Sequence, residues 1–355
     1  MTVADLVVIG GGQAGLATAH AASALGWMPV VLDASARPGG SWPRYYDSLT
    51  LFSPARFSAL PGMPFPGAPE RYPVRDEVVA YLDTYARRLD AEFRWGNRVE
   101  RVTRQSKRFQ VRTVDGVMVE SRMVVAASGG FSRPYRPALS GLESFTGKVL
   151  HSADYSAPDP FVDSRVVVVG GGNSAVQIAV ELAEVARVTI ATRGRLRWQP
   201  QRILGRDFHW WLTRTGLDTS PLGPRLAKGG VPVIDDGRYR RAVRAGRPDH
   251  RPLFARVEGD SVVWADGSRE RVDALILATG FRPELGYLEE TAALDGDGTP
   301  QHIGGVSATL PGLGYVGLER QRSFASATLR GVGRDAVHVL RALERQLVQS
   351  DDLVR

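Results

Sequence analysis

Two short stretches of this chain have the residue types and spacing to hold a pyrophosphate. The first, Gly10-Gly11-Gly12-Gln13-Ala14-Gly15, follows the apolar run Leu6-Val7-Val8-Ile9; the second, Gly170-Gly171-Gly172-Asn173-Ser174-Ala175, follows Val166-Val167-Val168-Val169. Each reads as a strand, a glycine turn and a helix start, in which glycines let the backbone approach a pyrophosphate and the helix N-terminus faces its charge. Gly10, Gly12 and Gly15 are the candidate contacts of the first turn. Gly170, Gly172, Asn173 and Ser174 are those of the second, where Ala175 replaces the third glycine. Asp33 stands 23 residues after Gly10, and Arg193 stands 23 residues after Gly170. A carboxylate there accepts hydrogen bonds from a free ribose 2'-hydroxyl, whereas a guanidinium suits a 2'-phosphate. The pair therefore reads as FAD in the first site and NADPH in the second, with some tolerance of NADH.

The duplication extends downstream. Asp115-Gly116 is followed 14 residues after the aspartate by Gly129, which ends an apolar run, and Asp266-Gly267 is followed at the same spacing by Gly280. Each half thus closes with a hairpin turn, an apolar strand and a small-residue exit. A single glycine turn is weak evidence, but two with matching downstream strands carry weight.

These motifs need elements to position them. Residues 2–33 form an opening strand–helix–strand unit, and eight prolines deny long regular elements between Arg37 and Pro73. Apolar spacing predicts a helix from Arg75 to Leu89, then short strands at 98–102, 109–113 and 117–120. Residues 131–162 read as an interdomain linker. The second unit runs from Arg165 to about Gly280, with an arginine-rich insertion around 199–250. A strand at 313–317 should rejoin the first sheet, and a helix at 331–348 should close the domain with Val337, Leu340, Leu343 and Leu347 inward. The fold class is α/β: two Rossmann-like dinucleotide-binding domains, each with a parallel sheet and a small β-meander. Residues 1–158 and 281–355 would form a discontinuous FAD domain, with the NADPH domain, 159–280, inserted in it.

At 355 residues, 43% hydrophobic and 23% charged, the composition is that of a globular protein of two ordinary domains. The net charge is +7, but 42 of the 45 basic residues are arginine and no nucleic-acid motif appears, so nucleic acid is not an expected partner. The chain has no cysteine, which removes disulfides, thiolate metal sites and the redox cysteine pair of disulfide reductases. Six scattered histidines support no metal site. No apolar stretch reaches the ~20 residues of a membrane span. The expected compartment is the cytoplasm. A homodimer is the expected assembly, although no sequence feature argues for it.

Between the two units lies Phe145-Thr146-Gly147, then His151 and Tyr155, in the spacing F-x-G-x-x-x-H-x-x-x-Y. With this motif, the two glycine turns, Gly39-Gly40-Ser41-Trp42 and the stretch from Ala278 to Pro283, the sequence resembles the flavin-containing monooxygenases, single-component FAD- and NADPH-dependent oxygenases. The resemblance covers nearly the whole chain. It is closest to the short bacterial members and, around Arg193 to Gly205, to the plant auxin-forming branch. Baeyer–Villiger relatives usually carry Trp where this chain has Tyr155, which shifts weight from ketones toward sulfides and amines as substrates.

The resemblance implies that NADPH reduces the flavin, that O2 adds to give a C4a-hydroperoxyflavin, and that a small soft nucleophile takes the terminal oxygen. It places Gly40 and Trp42 in the flavin-side turn and the Val99 backbone at the adenine. Thr279 and Thr328 fall in flavin- or nucleotide-side segments, with Thr328 beside a helix whose dipole would stabilise reduced flavin. His151 takes a linker role. Many members carry an Asn beside the flavin, where this chain has Phe52 followed by Ser53; an apolar ring cannot donate a hydrogen bond to a peroxide. Trp198, His209, Trp210 and Trp211 read as interface packing or as a pocket wall. Two other readings remain open: a flavin reductase that passes electrons on without oxygenation, and a non-catalytic redox-sensing module binding both nucleotides.

Overall fold

The computed structural model describes residues 2–220 and 232–352. Part of the arginine-rich insertion, residues 221–231, lies outside them. Two parallel sheets form the frame. In the first, Leu313–Tyr315, Met118–Ala126, Thr2–Ile9, Val30–Asp33 and Glu92–Trp95 run parallel in that spatial order. The hairpin Val99–Gln105 and Arg108–Thr113 pairs antiparallel with Met118–Ala126 as a meander. In the second, Asp249–Pro252, Arg187–Thr192, Arg165–Val169, Ala274–Leu277 and Lys148–His151 are all parallel. Its meander is Arg256–Glu258, Ser261–Val263 and Arg269–Arg271.

Each opening strand is buried on both faces, as covered parallel sheets require. Leu6 and Val8 pack against the helices Gln13–Ser23, Arg75–Ala86 and Leu329–Asp352, while Val7 and Ile9 face the meander. The second unit repeats this. Val166 and Val168 face the helix Asn173–Leu182, and Val167 and Val169 face Phe254, Val257 and Trp264 on the meander side. No helix among the described residues is long and apolar enough to cross a membrane.

Two expectations change. The segment 131–162 is more than a linker: Lys148–His151 is an edge strand of the second sheet, pairing with Ala274–Leu277, so the chain joins that layer before residue 159. The crossing itself is the short ribbon Arg133–Pro134 against Phe281–Arg282. In the closing helix the inward face is Val332, Ala336, Val339, Leu340 and Leu343, whereas Val337 is 38% exposed, because the helix begins at Leu329 and its rotation follows its contact with Gln13–Ser23.

Candidate active site

The first turn is built around close backbone approaches. The Gly10 amide donates to Leu32 O (2.8 Å) and Gly10 adopts φ +113°, where a Cβ would sit 2.6 Å from Ala127 O. Gly15 allows the helix to cross that turn, since a Cβ on it would lie 1.7 Å from Gly10 O. Gly15 does not reach the cavity described next; its contribution is helix-to-strand contact and not a cradle, a correction to the expected role. Gly12 and Gly40 touch across the turn, a Cβ on Gly40 falling 2.9 Å from Gly12 Cα. No side chain caps the helix Gln13–Ser23, so its first N–H groups have no side-chain acceptor. Asp33, buried at the end of Val30–Asp33, accepts from the Gly11 amide and from the Ser35 amide (2.6 Å). An ionised carboxylate still has lone pairs for further donors.

The second turn repeats the geometry. The Gly170 amide donates to Ala191 O (3.0 Å), and a Cβ at its φ of +143° would lie 2.3 Å from Ala278 O. The exit strands match as well: Ala127 N donates to Ile9 O and Ala278 N to Val169 O, both at 2.8 Å.

One register differs. Ile9 pairs with Leu32, 23 positions on, but Val169 pairs with Ala191, only 22 positions on. Thr192 therefore stands where Asp33 stands, and Arg193 is one residue beyond. The side chains agree: a Cβ on Gly11 would meet Asp33 Cβ at 3.2 Å, and one on Gly171 would meet Thr192 Cγ2 at 3.4 Å. The expected equivalence of Arg193 with Asp33 is corrected by the shorter helical connection, 10 helical residues against 11. Arg193 is exposed, off the cavity wall, and has no ion-pair partner among the described residues.

Both turns open on one cavity of about 1170 Å³. From the first domain Gly10, Gly12, Asp33, Gly40, Trp42 and Val99 reach its wall, joined by Thr328 ahead of the closing helix. From the second domain come Gly172, Asn173 and Ser174. The Asn173 side chain is engaged, its Oδ1 accepting from Ile234 N (3.0 Å). Gly170 and Thr279 lie off the wall, and the Thr279 hydroxyl donates to Tyr135 O beside the crossing ribbon. Sequence reading missed Gln13, which accepts from Trp42 Nε1 (3.0 Å) and donates to Ala327 O (2.7 Å), tying the Gly39–Trp42 turn to the segment just ahead of the closing helix. Its position inside the glycine signature was the available signal.

His151 does not reach the cavity. It is fully buried; Nε2 donates to Gly280 O (3.0 Å), Nδ1 accepts from Ala153 N (3.1 Å), and the ring meets Phe281 edge-on at 4.9 Å. Burial pushes its imidazole below the ordinary range. With both nitrogens satisfied and the ring neutral, it fixes the linker against the exit of the second sheet, and it has no access to reacting atoms. Gly147 of the same motif is required because a Cβ would strike the Phe145 ring and Asp273 O. Tyr155 is buried and donates to Glu181 Oε2 (2.7 Å) on the second domain's helix.

At the other end of the cavity Phe52 and Ser53 both reach the wall, and the Ser53 hydroxyl pairs with that of Ser58 (2.8 Å). Phe52 stacks on His209 at 6.0 Å and 19°. His209 lines the cavity, whereas Trp210 and Trp211 do not: Arg206 lies over the Trp210 ring and Trp211 Nε1 donates to Ile203 O. The insertion carrying His209 is clamped to the closing helix by a bidentate pair, Arg330 with Asp218, both contacts 2.8 Å, Asp218 buried and Arg330 largely so.

Residues 7–206 match the pyridine nucleotide-disulphide oxidoreductase family. The solved flavin-containing monooxygenase of Stenotrophomonas maltophilia is similar at 35% identity and a TM-score of 0.86, over 97% of this chain and 99% of that one. Among curated proteins, an uncharacterized CzcO-like oxidoreductase of Geobacillus kaustophilus is 33% identical over 95% of this chain and 97% of its own length. The probable indole-3-pyruvate monooxygenase YUCCA8 of Arabidopsis thaliana is 29% identical over 94% of this chain and 87% of its own. Flavin and a nicotinamide dinucleotide, a small-molecule substrate and O2 are what such enzymes use. The disulphide part of the broader family's description does not carry over, because this chain has no thiol to exchange. The chain belongs to the pyridine nucleotide-disulphide oxidoreductases and, within them, is an oxidoreductase of the flavin-containing monooxygenase family.

Proposed function

We propose that this enzyme holds FAD at the first glycine turn and NADPH at the second, and oxygenates small soft nucleophiles, sulfides and amines before ketones. The observation that carries the reading is that both turns open on one cavity, so that two dinucleotides bound there can meet at their reactive ends. Asp33 would hold the adenosine ribose of FAD, Gly12 and Gly40 would admit its pyrophosphate, and Gly172 would admit that of NADPH. Bound and reduced, the flavin supplies the activation of O2 that ends in transfer of one oxygen atom. Phe52 keeps its end of the cavity apolar and excludes water there, but offers no hydrogen bond of its own.

Adding a sulfide such as methyl phenyl sulfide is expected to raise NADPH consumption and to yield sulfoxide, with more hydrogen peroxide released than by relatives bearing Asn at this position. Product analysis beside a peroxide assay tests this. Peroxide alone, across a panel of sulfides, amines and ketones, would favour the reductase reading, which Phe52 makes the natural second choice.

The register supports NADPH as the coenzyme. Thr192 in place of a carboxylate removes repulsion of a 2'-phosphate, and Arg193 follows it with a guanidinium that pairs with no carboxylate among the described residues. A charge-assisted contact there is worth ~1.5 kcal/mol even when partly exposed, about tenfold in affinity. Arg193→Ala should therefore raise KM for NADPH by roughly tenfold, with kcat and the NADH parameters nearly unchanged, because the phosphate binds alike in ground and transition states. Steady-state kinetics with both coenzymes checks it; an unchanged NADPH KM would move the role to Arg195 or Arg197.

A further inference from the structure

One imidazole in the cavity wall is fixed through one of its two ring nitrogens by a buried carboxylate. His209 is the second residue of the short helix Phe208–Arg214, and Asp207 before it caps that helix, accepting from the His209 amide at 2.7 Å. The same carboxylate oxygen lies 2.8 Å from His209 Nδ1. Because a carboxylate accepts, Nδ1 carries the proton, and in the neutral ring Nε2 is left with its lone pair. The other Asp207 oxygen accepts from Tyr72 OH and Gln201 Nε2, each at 2.7 Å, so its orientation is fixed from two further segments. Gln201 also donates to Phe52 O (2.9 Å) and so holds the stacked ring in place.

Three aromatic rings flank the imidazole. Phe52 stacks on it, Phe57 lies tilted at 6.4 Å and Phe208 meets it edge-on at 5.8 Å. His209 is 1% exposed and lines the cavity. With Nδ1 committed to Asp207, Nε2 is the ring nitrogen left for a ligand of that cavity. The charged groups around it are Asp207 on its own cap, Asp218 after its helix and Arg330 from the closing helix; the last two are paired with each other. Burial, the largest influence, outweighs Asp207 and pushes the imidazole below its ordinary range, which keeps the acceptor form at neutral pH.

We propose that His209 Nε2 orients the substrate by accepting a hydrogen bond, so that the cavity selects small apolar sulfides or amines that also carry one O–H or N–H donor. This rests on the monooxygenase reading for the fate of the ligand, but not for its binding. A fixed polar group set among aromatic side chains discriminates between ligands that can and cannot pair with it.

The test compares methyl phenyl sulfide with its 2-, 3- and 4-hydroxy derivatives on the flavin-loaded enzyme, with Kd from calorimetry and KM and kcat from turnover. One hydroxy isomer is expected to bind about five- to tenfold tighter than the parent, the span of a neutral hydrogen bond. In His209→Leu that ratio should fall to about one, whereas His209→Gln, which keeps an acceptor, should retain part of it. Asp207 keeps three donors in either variant, from Tyr72, Gln201 and the residue 209 amide, so the helix cap survives. In the native enzyme the O-methylated form of the preferred isomer, which keeps the oxygen acceptor and loses the donor, should bind no tighter than the parent. A ratio that persists in His209→Leu, or a native enzyme that prefers no hydroxy isomer by either Kd or KM, overturns the assignment. Should His209→Leu fail to fold, the Gln variant and the O-methylated probe on the native enzyme decide, and an O-methyl form that binds as tightly as the hydroxy isomer overturns the assignment. Loss of the monooxygenase reading would look different: selective binding without sulfoxide.

Discussion

Asp33→Ala is expected to purify almost free of flavin, while Gly172→Val keeps its flavin and no longer binds NADPH. Asp33 has a partner within the protein and would have a second in the cofactor. It accepts from the Gly11 amide in a buried turn, and under the proposed reading its remaining acceptor sites would take the ribose hydroxyls of FAD. Removing the carboxylate leaves donors unpaired on both sides, each costing about 1–3 kcal/mol. The loss on the ribose side alone weakens flavin binding by about five- to a hundredfold, and the loss on the Gly11 side destabilises the turn that receives the flavin. Gly172 is a contrast by design. No atom lies within 4 Å of a Cβ placed there, and its backbone is extended at φ −92°, so valine folds without strain and projects into the space a pyrophosphate would take. Flavin absorbance relative to protein, together with NADPH binding by calorimetry, reads both variants. Flavin lost in Gly172→Val and kept in Asp33→Ala would reverse the assignment of the two halves.

The second large effect is structural. Gly15→Ala should be severely destabilised, because its methyl would sit 1.7 Å from Gly10 O and neither backbone segment can yield. The helix would have to lift from the strand that Ile9 ends and from the closing helix packed on it. Overpacking of this kind costs upwards of ~3 kcal/mol. The corresponding change in the other unit, Ala175→Gly, should cost only ~1 kcal/mol, from helix propensity and a lost methyl contact. Thermal unfolding of both variants makes the comparison. Equal melting temperatures would show that the first helix tolerates a displaced seat.

How much of this was legible beforehand depended on whether a feature is local. Strand, glycine turn and helix start are specified within a dozen residues, so both turns and both meander-to-exit strands could be placed from Gly10, Gly170, Asp115-Gly116 and Asp266-Gly267. Arg193 was misplaced by one residue because counting assumed equal connections; a helix one residue shorter moves a register without leaving a mark in composition. Lys148–His151 hid as a four-residue strand among prolines, and its pairing partner lies more than 120 positions away. Val337 fitted the helical period yet faces out, since rotation is set by the helix it packs against. His151 and His209 show the same limit at the site. A motif singled out His151, whose nitrogens are spent on backbone, while His209 gained its place only when the insertion folded back over Phe52.

The order of strands in the first sheet bears on how the protein is made. Met118–Ala126 acquires its parallel neighbour Leu313–Tyr315 only after 187 further residues have been added, and the helix Gln13–Ser23 waits longer still for its cover from Leu329–Asp352. All five strands of the second sheet lie between residues 148 and 277, so that unit can finish while the first is still incomplete on the ribosome. The inserted half is thus the earlier to mature, and the N-terminal half spends most of translation with an open strand edge, the kind of surface that pairs with other chains. Truncation anywhere before Leu313 should therefore yield a nascent product that needs a chaperone, even though its first glycine turn is already complete.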